Sequence, residues 1–135
     1  MDAENKIIMR NLHLEKAHSC LKDAAIASNA GSLSMAANRY YYACFHAVHA
    51  LFVMHDIYSK THEGMNTLFG LNIVKTGLFE ARFGTFLNKM ENLRERADYN
   101  VVYQVTDEEL QTMHPLVMEL ISSIEKHLSY TDCAD

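Results

Sequence analysis

The chain has 135 residues, a formal charge of −5, 49% hydrophobic residues, one Pro, five Gly and no Trp. That is one domain's worth of chain, residues 1–135, long enough to bury a continuous core without metal or disulfide staples, and too ordered in composition to be disordered or fibrous. The acidic balance excludes a general duplex-DNA binder, which needs a basic surface to neutralise phosphates, although it leaves room for a small local anion site.

Cys20, Cys44 and Cys133 are odd in number and form no C-x-x-C pair. This predicts neither a zinc site nor a disulfide framework and fits a reducing compartment. The opening stretch MDAENKIIMRNLHLEKAHS has no apolar run of the kind a secretory signal requires, and no stretch of eighteen apolar residues occurs. The expectation is a cytoplasmic protein without a membrane span.

The first predicted helix covers residues from about 4 to 29. Leu14, Ala17, Leu21, Ala24 and Ala25 recur at spacings of three and four and lay an apolar stripe on one face. Gly31 supplies the left-handed conformation that ends it, and Ser32 or Ser34 can cap the next helix.

The second helix, from about 34 to 55, contains NRYYYACFHAVHALF. On a helical wheel Tyr41, Phe45, Val48 and Phe52 fall on one side, and Arg39, Tyr42, Ala43, His46, Ala50 and Val53 on the other. Both sides are largely apolar. Such a helix must be covered on both, either at the centre of a bundle or with its second face against another subunit. The three tyrosines Tyr40, Tyr41 and Tyr42 point in three directions, so they pack with their hydroxyls on polar partners and do not form one platform for stacking bases.

Beyond it, Thr61 is a plausible cap for a short helix whose buried stripe is Met65, Leu68, Phe69 and Ile73, ending before Gly77. Strong periodicity returns from about 83 to 98 through Phe86, Met90, Leu93 and Ala97. NVVYQVT reads as an extended connection. Thr106 and Glu109 then form a capping box for a fifth helix running to about Ser129, with a kink expected near Pro115. No sheet, repeat or low-complexity tract is indicated, so the fold class is all-α, a helical bundle.

Two groups of residues could carry chemistry. Arg39 and His46 are seven apart and project from nearly the same side of the second helix, as an anion site or acid–base pair, or as a buried polar pair satisfied by a neighbour. His46 and His49 are spaced to hold a metal from one face, but no carboxylate completes a ligand set, so neither metal nor cofactor is expected. In ENLRERADYN, Arg94 and Asp98 are i,i+4 neighbours with Tyr99 next in line. This is either a clamped guanidinium that receives a phosphate, nucleotide or partner carboxylate, or a structural knot.

The blocks AANRYYYACFHAVHALF, KTHEG, FG…VKTG and LRERADY, in that order, resemble the HEPN superfamily, specifically a small prokaryotic group with R-x-Y-Y-A-x-F-H followed by R-x-x-A-D-Y. The resemblance covers nearly the whole chain. It implies an antiparallel bundle of four to five helices, commonly a homodimer, working beside a minimal nucleotidyltransferase in a toxin–antitoxin-like pair, with a nucleotide-binding role or, in some members, ribonuclease activity. Those ribonucleases carry R-x(4–6)-H late in the domain. Here Arg94 is followed at the corresponding place by Tyr99. The resemblance therefore favours a nucleotide- or partner-binding accessory protein centred on Arg94, Asp98 and Tyr99. The alternatives are a metal-independent RNA endonuclease using Arg39 and His46, and a structural helical dimer without ligand.

Overall fold

The computed structural model describes residues 1–134, with side chains through Ser129. The described residues form five α-helices and no strand: α1 Ala3–Asn29, α2 Leu33–Met54, α3 His62–Phe69, α4 Ala81–Tyr99 and α5 Asp107–Ala134. A π-helical turn, Gly70–Val74, prolongs α3. None of the helices is long and apolar enough to cross a membrane.

Local chemistry accounts for the ends. Asp2 caps α1 by accepting a hydrogen bond from the Asn5 N–H at 2.8 Å, and Gly31, at φ 77°, turns the chain out of it. Ser32 stands at the start of α2 but makes no side-chain cap. Thr61 caps α3 through the Gly64 N–H at 2.8 Å. The capping box of α5 closes in both directions: Glu109 N–H donates to Thr106 Oγ1 at 3.1 Å, and Thr106 N–H donates to Glu109 Oε1 at 3.0 Å. Each such cap satisfies an otherwise orphaned backbone donor.

The burial pattern of α2 explains its unusual sequence. Tyr41, Ala43, Cys44, Ala47, Val48, Ala50 and Leu51 are fully buried and together cover about half of the helix circumference, whereas Tyr42, Phe45, His46, His49 and Val53 on the opposite arc are only partly buried. Its main packing partner is α1, with α4 and α5 against its remaining sides. Packing within the chain thus encloses one half of the helix and leaves the other partly open, the face on which a second subunit is the other expectation. Small residues, alanine above all, let the α1 and α2 backbones approach closely.

On α1 the buried stripe is Ala17, Cys20, Ala24 and Ala27, with Leu14 and Leu21 partly buried, while Ala25 faces out. Steps of three and four from Ala17 carry the stripe to Ala27 and leave Ala25 on the far side. On α4, Phe83, Phe86, Leu87, Met90 and Leu93 face the core, and Arg94 joins them at 6% exposure. Pro115 lies within α5. Cys20 and Cys44 are buried free thiols; the side chain of Cys133 lies outside the described residues.

Candidate functional site

The three consecutive tyrosines of α2 reach three different neighbours. Tyr40 meets the His114 ring of α5 edge-on at 5.6 Å. Tyr41 Oη is hydrogen bonded to Nδ1 of His62, the first residue of α3, at 2.7 Å. Tyr42 lies beneath the Arg39 guanidinium at 5.2 Å. From α4, Arg94 stacks on the Tyr41 ring at 5.2 Å and nears that of Tyr42 at 6.0 Å. Cation–π attraction of this kind strengthens where water is excluded.

Arg94 is held in that pose by Asp98, one turn on, with Nη1 and Oδ2 3.5 Å apart, as the i,i+4 spacing anticipates. Asp98 in turn accepts from Asn38 Nδ2 at 3.1 Å, and Asn38 Oδ1 accepts from Arg39 Nη2 at 2.7 Å and Nε at 2.9 Å. A continuous polar seam, Arg39–Asn38–Asp98–Arg94, therefore joins α2 to α4. Two candidates read separately in the sequence are brought together by Asn38, which the sequence reading passed over. A shallow cleft of about 570 Å³ opens over the seam, edged by Asp23, Ser34, Asn38, Arg39 and Asp98. Arg94 Nε is buried without a hydrogen-bond partner. Tyr99, at the end of α4, is 77% exposed.

On the side of α2 that meets α1, Arg39 approaches Cys20 Sγ at 4.0 Å, while His46 Nδ1 lies 3.2 Å from Nδ1 of His13. The His13 ring stacks on both His46, at 5.4 Å, and His49, at 5.6 Å. His13 was not foreseen, because nothing in one sequence gives the register of α1 on α2. His62 belonged to the KTHEG block, and its position at the mouth of α3 was the signal.

Burial, followed by the neighbouring His13, Lys16 and Arg39, pulls the His46 pKa down to about 4. Burial, followed by His13, His46 and His62, does the same to His49. Both imidazoles are neutral at physiological pH. General acid–base catalysis works best with groups that titrate near the operating pH, and these two stand well below it. Arg39 and His46 share a side of the helix as predicted, yet each is engaged by a different partner. Among the described residues no group of three or more His, Cys, Asp or Glu is arranged to hold a metal ion.

These features belong to a known class. A family model described as the HEPN domain matches residues 11–127, and the chain belongs to that family. It is 30% identical to a UPF0332 protein of Thermotoga maritima over 93% of this chain and 94% of the relative. It is also 29% identical to "Putative toxin MJ0142" of Methanocaldococcus jannaschii, over 73% of this chain and 67% of the relative. A second protein of that organism, "Putative toxin MJ0605", is 34% identical over 67% of this chain and 66% of the relative. The chain is thus a HEPN-domain bundle with toxin-like relatives.

Proposed function

We propose that this chain is the HEPN-type member of a toxin–antitoxin-like pair and acts as a nucleotide- or partner-binding module centred on the α2–α4 seam. The observation that carries the reading is the hydrogen-bonded line Arg39–Asn38–Asp98 along an open cleft, with Arg94, buried behind the lining, ion-paired to Asp98. Arg94, buried against two tyrosine rings, does not line the cleft but fixes Asp98 at its rim, so that carboxylate is preorganised, which lowers the entropy lost on binding. The rim presents both signs of charge, Arg39 against Asp23 and Asp98, and so suits a partner surface or a nucleotide with donors as well as phosphate. The family resemblance suggests a minimal nucleotidyltransferase as that partner, and a homodimer as the working form.

The test is to replace Arg94 by Lys and by Ala, then measure thermal stability and affinity for a co-expressed minimal nucleotidyltransferase and for nucleotides. Loss of binding with a melting temperature within a few degrees of the parent supports the module. A large loss of stability with intact affinity would reduce Arg94 to a structural knot.

The competing reading, a metal-independent ribonuclease, draws on the shared side of Arg39 and His46. Against it stand the exposed Tyr99 where a late His would be needed and the low pKa of His46. A mixed RNA pool incubated with the protein in chelator is expected to remain intact. Robust cleavage that disappears in His46→Ala would overturn the binding-module reading.

A further inference from the structure

α4 and α5 both pack on α2 and scarcely touch one another, so a groove of about 470 Å³ runs between them. Its floor is apolar: Phe86, Met90 and Leu93 from α4 meet Met113 and Leu116 from α5. Its two exposed edges carry opposite charge. Lys89, Asn92 and Arg96, at steps of three and four, form the α4 edge, whereas Glu108 and Thr112, one turn apart, form the α5 edge. Among the described residues Lys89 and Glu108 make no ion pair. At one end Arg82 of α4 donates to Glu119 of α5, Nη1 to Oε2 at 3.0 Å, and closes the groove. At the other end the connection 100–106 turns back: Asn100 Oδ1 accepts from the Val102 and Tyr103 N–H groups at 3.0 and 3.2 Å, and Tyr103 is held between Arg96, 4.6 Å from its ring, and Glu109. That turn displays Val101 and Val102 to solvent at 99% and 85% exposure. With Tyr99 they are the three most exposed large hydrophobic residues among the described ones, and all three lie where α4 passes into the connection to α5.

We infer that the groove and the two displayed valines are a docking surface for an amphipathic helix of another polypeptide, with its apolar face on the floor, acids along the α4 edge and bases along the α5 edge. From Phe86 to Arg96 the α4 wall runs about ten residues, about 15 Å, which matches a helix of about three turns. Recognition of this kind takes apolar anchors at i, i+3, i+4 and i+7 from one helix face. Met90 and Met113 give the floor side chains that adapt to such anchors. The floor residues are themselves well covered, so Val101 and Val102 supply the apolar area that drives association. A second copy of this chain fits less well, because a two-fold contact here would set one groove against another and leave both unfilled. The groove shares no lining residue with the cleft over the α2–α4 seam and does not rest on the binding-module reading.

A displayed library of short amphipathic helices, with apolar anchors and edge charges varied, is selected against the full chain, and the best binder is synthesised and titrated. The methyl NMR signals of Met90 and Met113 report whether it lies in the groove. The expected result is enrichment of helices with acids on one edge and bases on the other, and saturable binding that shifts both methyl signals. Binding should weaken about tenfold in Val101→Ser, Val102→Ser, and severalfold in Lys89→Glu, the latter restored by a peptide whose facing acid is changed to Lys. All three positions are exposed, so these variants should keep the melting temperature of the parent. Arg39→Ala, in the seam, should leave peptide binding unchanged, which separates this surface from the α2–α4 site. No enrichment, or a binder that shifts neither methionine or is indifferent to both substitutions, would overturn the proposal. A dimer in sedimentation that Val101→Ser, Val102→Ser converts to monomer would give the groove to a second copy and overturn it as well.

Discussion

At the scale of single residues, the burial of His46 and His49 makes stability depend on pH. In an unfolded chain both rings titrate near 6.5, whereas in the fold both stand at about 4. Between those values the unfolded chain holds more protons. The stability these rings support is therefore complete above about pH 6.5 and is lost as pH falls toward 4. Each ring is only partly enclosed, so solvent screening tempers the size of the effect. The urea midpoint is expected to drop between pH 7.5 and pH 5, and the double variant His46→Gln, His49→Gln should flatten that slope. A midpoint constant across the range would mean that the rings are better hydrated than their packing against His13 implies. Tyr41→Phe addresses a separate contact. It deletes the hydroxyl bonded to His62 and leaves the ring under Arg94, so a loss of about 1 kcal/mol is expected in chemical denaturation.

At the scale of helices, the sequence was most readable where period and capping agree. The box at Thr106 and Glu109 and the turn at Gly31 could be read directly, because the physical cause lies within a few residues. Thr106→Ala should cost about 1 kcal/mol by releasing the Glu109 N–H. Gly31→Ala should cost about 1–2 kcal/mol through its positive φ alone, since a Cβ there would meet nothing within 4 Å. Leu93→Ala removes a side chain 7% exposed from the inward face of α4, with an expected loss of about 2–5 kcal/mol by equilibrium unfolding. A loss below half a kilocalorie would show that the α4 core does not depend on it. Contacts between helices were less readable. Arg94 and Asp98 could be paired by their spacing, but the link through Asn38 depends on how α2 lies on α4. The same holds for His13 against His46, which depends on the register of α1.

For the whole molecule, a helix apolar on both sides left two arrangements open in the sequence; the bundle encloses one half of α2, and the half carrying Tyr42, Phe45, His46, His49 and Val53 stays partly open. Apolar surface remains elsewhere: Ile8 and Leu12, a turn apart on α1, are 49% and 53% exposed. The homodimer suggested by family resemblance has this patch as well as the partly open face of α2 to bury. Sedimentation is expected to give a dimer at micromolar concentration, shifted toward monomer in Ile8→Ser, Leu12→Ser. A parent protein that stays monomeric would remove self-association from the functional picture.

The close pairing of α1 with α2 also bears on the order in which the chain assembles. Only Ala30, Gly31 and Ser32 separate the two helices, so their alanine-lined contact forms at little loop-closure cost, whereas α5 reaches α2 only after residues 55–106 have been traversed. The α1–α2 hairpin should therefore be the folding nucleus, with α5 docking late. Ala47→Gly, within that hairpin, should slow refolding. Leu120→Ala, at a fully buried position on α5, should act mainly by speeding unfolding. Stopped-flow chevrons of the two variants would show opposite limbs displaced, and a refolding limb slowed more by Leu120→Ala than by Ala47→Gly would place the nucleus at α5 instead.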